Sequence, residues 1–174
     1  MIFFDLFRGS GLETVVVRFF NVYGPHQDFR RKHPPFLGYT IRELMCDRVP
    51  TFFNDGTQRR DYVYVGDVCS LVEKCMTDSR AVGGTFNAAS GETYSVNELF
   101  SYICKAMKKG EIQPNYNVAA NFWERYPELF EGSMPLNKDL VEKEVKKYEE
   151  GIQYTVDYCL EKGLPEELIK ELKE

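Results

Sequence analysis

The chain lacks the features that define several large functional classes. It has two histidines, His26 and His33, and five cysteines with no C-x-x-C pair, too few ligands in the wrong spacing for a metal cage, so no metal is expected. Cys46, Cys69, Cys75, Cys104 and Cys159 each fall in an apolar helical pattern, where a reduced thiol packs as a small hydrophobe. A disulfide framework is not expected either. There is no basic surplus: 22 Lys and Arg face 27 Asp and Glu, giving a net charge of −5. The broad positive field that holds a polyanion is missing, which argues against nucleic acid as a partner. No apolar run approaches the roughly 18–20 residues that span a bilayer. The first residues, Met1-Ile-Phe-Phe-Asp-Leu-Phe7, carry neither a basic segment nor a small-residue cleavage site, so a cytoplasmic protein without a membrane partner is expected.

What is present reads as α/β. Apolar residues at 2, 3, 4, 6 and 7 stop at Gly9-Ser-Gly11, the pattern of a buried helix with a glycine end. Thr14–Phe20 is a β-rich run without alternation, which predicts a strand covered on both faces in a parallel sheet. Pro34-Pro35 pre-sets a helix carrying Leu37, Ile41, Leu44 and Met45 that ends before Pro50. Thr51–Phe53 and Tyr62–Val65 read as strands around an Asn54-Asp55-Gly56 turn. Asp67 is placed to cap the next helix, with Val68, Leu71, Val72, Cys75 and Met76 as its apolar stripe. Thr85–Ser90 reads as a small-residue strand, and Ser95-Val-Asn-Glu98 as a capping box opening a helix with Val96, Leu99, Phe100, Ile103, Cys104 and Met107 inward. Charged helices are expected from about 138 to 148, 151 to 162 and 165 to 173. No repeat or linker divides the 174 residues, so one contiguous unit is expected.

Several side chains are candidates for chemistry. Asn21 closes a strand with Gly24 and Pro25 close behind, which places an amide at the carboxyl edge of a parallel sheet, where α/β folds bind ligands; the same motif also occurs as an ordinary turn. Arg60 follows a glycine turn at a strand end and can offer two parallel donors to a phosphate, or form a surface ion pair with Asp61 or Asp67. Phe52 and Phe53 read as core aromatics or as a flat shelf for a base. Arg30-Arg31-Lys32 is a solvated basic loop or a lid, and Trp123, with Arg125 and Tyr126, packs on the core or lines a sugar pocket.

Taken in order, Arg18-Phe-Phe-Asn-Val-Tyr-Gly-Pro25, Pro34-Pro35-Phe36, Asp55-Gly-Thr-Gln-Arg-Arg-Asp-Tyr-Val-Tyr-Val-Gly-Asp67 and Phe86-Asn-Ala-Ala-Ser-Gly-Glu-Thr-Tyr-Ser95 resemble the carboxyl-terminal half of the NAD-dependent nucleotide-sugar epimerase/dehydratase family, the extended short-chain dehydrogenases. The resemblance covers about residues 3 to 108. It implies the last part of a Rossmann-like parallel sheet over 1–30, followed over 31–174 mainly by the small α/β substrate-binding domain. It further implies that Asn21 and Arg60 hold the diphosphate of a nucleoside diphosphate sugar, that Phe53 and Phe36 lie near the base, and that Phe20 touches the nicotinamide end of NAD. The family's R-x-G-D or R-x-G-E segment is replaced here by Asn121–Gly132, Asn stands at 54 where relatives usually have Gly, and His26 stands where Arg or Gly is common.

The family's glycine-rich NAD motif and Tyr-x-x-x-Lys pair lie upstream of the R-x-x-N strand, and the expectation is that both are absent from this chain. NAD would then be bound mainly by a missing amino-terminal half, no catalytic residue is assigned, and the isolated chain is expected to be inactive. The resemblance implies the substrate-binding portion of a UDP-glucose 4-epimerase-like enzyme, with homodimerisation open for the full-length protein. Two alternatives stand beside it: a non-catalytic nucleotide-sugar-binding or scaffold module from a truncated gene, and a partial chain that folds by pairing with a separate nucleotide-binding polypeptide. Neither the sugar, the base nor the choice among epimerisation, dehydration and decarboxylation is legible.

Overall fold

Val-, Phe- and Tyr-rich runs alternate with amphipathic segments along the chain, and the resulting fold is α/β. The computed structural model describes residues 9–117 and 148–173. In chain order the elements are β1 (Val16–Phe19), β2 (Asn21–Tyr23), α1 (Phe36–Met45), β3 (Thr51–Phe53), β4 (Arg59–Tyr64), α2 (Val65–Thr77), a 3-10 turn (Ser79–Ala81), β5 (Thr85–Ala88), β6 (Thr93–Ser95), α3 (Val96–Ala106), β7 (Asn115–Asn117), α4 (Tyr148–Lys162) and α5 (Glu166–Lys173). The expected helices over residues 2–7 and 138–147, and Trp123, Arg125 and Tyr126, lie outside the described residues.

The β-rich run at 14–20 is a parallel strand, β1 pairing with β5 in the register Val16↔Thr85 to Phe19↔Ala88, but it is not covered on both faces as expected, since Arg18 and Phe19 are exposed. A second parallel pair joins β3 to β7, and three further strands take the order β2-β4-β6. Two compact units result. One holds the described residues up to Val22 with Asp61–Thr93; the other holds Tyr23–Arg60 and the described residues from Tyr94 onward.

The first unit closes around Val63, Val68, Leu71, Cys75, Ala81, Phe86 and Ala88, with Val15, Val17, Val22 and Val72 against them. Two expectations for α2 are corrected here. Met76 is 81% exposed and Cys69 is exposed, because at about 100° per residue both lie on the flank roughly 100° or more from the Val68–Leu71–Cys75 stripe. Asp67 is not the cap: the helix begins at Val65 after an extended Tyr64, and Asp67 sits in the first turn, where its charge suits the helix N-terminus.

In the second unit α1, α3 and α4 pack on one another through Leu37, Ile41, Leu44, Leu99, Ile103, Ile152, Val156 and Cys159, all essentially buried. Phe52 bridges this core to the β3–β7 pair, 5.3 Å from the Phe36 ring and 5.3 Å edge-on from Phe100. Tyr148 is ringed by Tyr23, Tyr94 and Tyr102, with Tyr94 stacked on it at 4.3 Å. Gly151 permits that packing, since a Cβ there would stand 2.3 Å from the Tyr23 hydroxyl. After β3 the chain turns through Asn54 and Gly56, both left-handed; at Gly56 a Cβ would also meet Asn97 Oδ1 at 2.1 Å.

Ser95 opens α3 as expected. Its hydroxyl accepts from Glu98 N–H at 3.1 Å while Glu98 accepts from Ser95 N–H at 2.7 Å. The Ser95 N–H first, and then the Ser95 hydroxyl and the Arg59 guanidinium, hold the Glu98 carboxyl below its usual range. Burial pushes the Cys159 thiol up to about 12 and raises those of Cys75 and Cys104.

Ser95→Ala is expected to cost about 1 kcal/mol, read as a lower urea midpoint at unchanged slope. Because the Glu98 pKa is lowered on folding, its contribution is complete above the usual glutamate range and is lost as pH falls through the folded value; Glu98→Gln should remove that part of the acid dependence of stability. In thiol labelling of the native chain, Cys69 should react first and Cys69→Ser should abolish the fast phase.

Candidate functional site

The carboxyl ends of two parallel strands define one edge of the first unit. Pairing runs one residue past β1, where Phe20 N–H donates to the Ala88 carbonyl at 3.0 Å, and Val22 N–H then donates back to Phe20 O at 2.9 Å. This tight reversal leaves Asn21 exposed at that edge, with Phe20 half-buried beside it. One Asn21 amide N–H donates to the Asp61 carbonyl at 2.9 Å.

Asp61 is 4% exposed, and sequence reasoning treated it only as a partner for Arg60. Its carboxylate instead accepts from Ser90 N–H at 2.8 Å, the Ser90 hydroxyl at 2.9 Å and Gly91 N–H at 2.8 Å. The signal for this role was the A-A-S-G turn after β5, whose two adjacent N–H groups need an acceptor once the strand ends.

The second unit carries the remaining candidates. Arg59 and Arg60 are successive residues of β4. Arg59 pairs with Glu98 at 3.0 Å, at the start of α3. Arg60 is half-buried, and its guanidinium donates to the Arg59 carbonyl at 2.7 Å. Phe52 and Phe53 part company as strand residues must: Phe52 is core, while Phe53 is 60% exposed. Phe36 is half-buried against Phe52 and belongs with the core pair more than with Phe53. Asn21 and Arg60 fall in different units.

The basic loop is fastened rather than loose. Arg30 Nε and Nη2 donate to the Gly163 carbonyl at 3.1 and 3.0 Å, and Nη2 also to that of Lys162, which caps the carboxyl end of α4 with a cation. Buried Arg42 donates to the Arg31 carbonyl at 2.9 Å, and the His26 ring lies 4.8 Å from that of Tyr158. The expectation that no Tyr-x-x-x-Lys spacing occurs needs correction, because Tyr158 and Lys162 have it. The two do not form an acid–base pair: Lys162 Nζ sits over the Tyr158 ring, 5.8 Å from its centre, and pairs with Glu161 at 3.1 Å. Consecutive turns of α4 supply the spacing.

Among the described residues no group of His, Cys, Asp and Glu is arranged to hold a metal ion, and no helix is long and apolar enough to cross a membrane. A groove of about 700 Å³ lies between α3 and the segment leading to β7, lined by Phe100, Cys104, Lys105, Lys109, Ile112 and Tyr116 among others. None of the candidates above lines it.

Residues 4–89 match the family described as NAD dependent epimerase/dehydratase. A putative UDP-glucose 4-epimerase of Methanocaldococcus jannaschii is 34% identical over 96 residues, 55% of this chain and 30% of that protein. The structure of a UDP-glucose 4-epimerase from Thermotoga maritima with UDP-glucose superposes with a TM-score of 0.80 at 26% identity, covering 93% of this chain and 50% of that one. A dTDP-glucose 4,6-dehydratase of Bacillus anthracis, solved with NAD, has the same fold at 20% identity, with a TM-score of 0.75 over 92% of this chain and 49% of that one. The chain thus spans half or less of the length of these relatives.

The division between Phe52 and Phe53 is testable by stability. Phe52→Ala should cost about 3–5 kcal/mol, whereas Phe53→Ala should fall within about 0.5 kcal/mol of the parent, both measured by urea unfolding.

Proposed function

Because the chain belongs to the NAD-dependent epimerase/dehydratase family, we propose that it is the substrate-binding portion of a nucleotide-sugar enzyme of the UDP-glucose 4-epimerase kind, gripping the sugar nucleotide by its diphosphate. The observation that carries this reading is the exposed Asn21 amide at the carboxyl edge of the parallel β1–β5 pair, within the matched segment. An amide there donates to a phosphate oxygen without bringing a charge of its own. Arg60 supplies the charge-assisted donors, and exposed Phe53 supplies a flat face for the base. Phe36, half-buried against Phe52, supports that shelf near the base.

The family name implies NAD. A dinucleotide phosphate needs a glycine-rich loop of unengaged N–H groups, and the sequence contains no G-x-x-G-x-x-G segment. The two consecutive N–H groups at the sheet edge, those of Ser90 and Gly91, are already taken by the Asp61 carboxylate. The described residues therefore do not by themselves make a dinucleotide site, and no hydride step is derived from them. We assign NAD mainly to residues outside this chain, with Phe20 bordering its nicotinamide end.

What these residues do is hold the part of the substrate that does not react. Binding energy gathered on the diphosphate and base positions the sugar carbon and lowers the entropic part of the barrier. Tyr158 and Lys162, engaged face-on and with Glu161, take no part.

Calorimetric titration of the chain with UDP should show binding. Asn21→Ala and Arg60→Ala should each weaken it about tenfold or more, and Phe53→Ala several-fold. The chain alone should turn over no sugar nucleotide with NAD, and joining it to a Rossmann half carrying the glycine-rich loop and the Tyr-x-x-x-Lys pair should restore conversion. Loss of neither Asn21 nor Arg60 affecting UDP affinity is the result that defeats the reading.

A further inference from the structure

Asp61 is a deeply buried carboxylate at the sheet edge. Its partners are adjacent residues of one turn. Ser90 N–H points to Oδ1 and Gly91 N–H to Oδ2, each at 2.8 Å, with the Ser90 hydroxyl on Oδ1 at 2.9 Å. Gly91 has a φ of +82°, and consecutive N–H groups next to a left-handed residue form the concavity that elsewhere in proteins receives a phosphate or carboxylate ligand. Here the chain has filled that concavity with its own anion. The main chain of the same residue carries the second contact, because the Asp61 carbonyl receives the Asn21 amide at 2.9 Å.

The geometry points to Asp61 as a positioning residue: its carboxylate is the resident anion of the Ser90–Gly91 concavity, and by pinning β4 to that turn it fixes the carbonyl that aims the Asn21 amide. The aiming step rests on the reading of Asn21 as a phosphate contact; the resident-anion step does not. Two properties separate this role from simple core filling. A side chain that merely filled space would be replaced by any group of like volume, whereas a resident anion is replaced only by another anion. A space-filling role would also leave the two amide protons of the turn indifferent to added carboxylate.

Amide hydrogen exchange followed by NMR on Asp61→Ala and Asp61→Asn, with and without sodium formate against equal sodium chloride, tests the first step. Exchange at Ser90 and Gly91 should accelerate about tenfold or more in Asp61→Ala, and formate but not chloride should slow it again. Asp61→Asn keeps one acceptor oxygen but sets an amide NH2 donor against an N–H donor, so it should fall between. It also keeps the test decisive if the alanine variant does not fold. Ser90→Ala, which retains both main-chain donors, should stay near the parent rate. Unchanged exchange in the Asp61 variants, or acceleration that formate does not answer, overturns the resident anion. UDP titration tests the second step: affinity should fall in Asp61→Asn and recover in Asp61→Ala with formate. UDP binding that survives Asp61→Asn unchanged overturns the aiming role. A parent chain that takes no UDP at all removes the aiming role together with the function proposed above, and leaves the resident anion to be decided by exchange alone.

Discussion

A carboxylate withdrawn from water is tolerated only where donors replace its hydration, and Asp61 meets that condition with three of them from one turn. The requirement works in both directions. The Ser90 and Gly91 N–H groups leave the β1–β5 ladder at the end of β5 and would be costly to strand, so the turn needs the acid as much as the acid needs the turn. Because Asp61 lies within β4, satisfying both also fixes where that strand stands against the end of β5. Asn21 then reads this placement through the Asp61 carbonyl. Apolar packing of Val63, Val68, Leu71 and Phe86 supplies the bulk of the first unit's core, but it is not directional. Hydrogen bonds set the geometry of that edge.

Within β4 the work is divided among three neighbours. Arg59 ties the strand to the start of α3 through Glu98, and Asp61 ties it to the β5 turn. Arg60 stands between the two anchors with its guanidinium against a main-chain carbonyl. A cationic side chain flanked by two fixed residues has less conformational freedom to lose than one on a loose loop. The same economy holds at Phe52 and Phe53, where core packing of the first fixes the presentation of the second.

Much of the frame was legible in the sequence because it rests on local chemistry. The capping box at Ser95, the helix after Pro34-Pro35, the strand at 51–53 and the parallel nature of the 14–20 run all follow from residue types and spacing, and all are present. The family, too, was readable from the order of its blocks. What was not legible depends on partners distant in sequence. Nothing within the Arg-Arg-Asp segment says that its acid closes a turn 29 residues on. The placement of Met76 away from the core depends on where the α2 stripe is centred, and a stripe drawn one residue too wide included it; Cys69, outside that stripe, was expected to pack as a small hydrophobe and is exposed. The Arg30 loop read as a solvated loop or a lid because its charges suggest solvent; its anchors are carbonyls, which no side-chain pattern announces.

Those anchors have an evolutionary corollary. A guanidinium that clasps main-chain oxygens is blind to the side chains that carry them, so residue 162 can drift without loosening the clasp. Gly163, left-handed at φ +58°, is less free to vary. Insertions are another matter, since one extra residue in the last turn of α4 would rotate both oxygens away from Arg30. Along this stretch, selection should act on chain length more strictly than on composition.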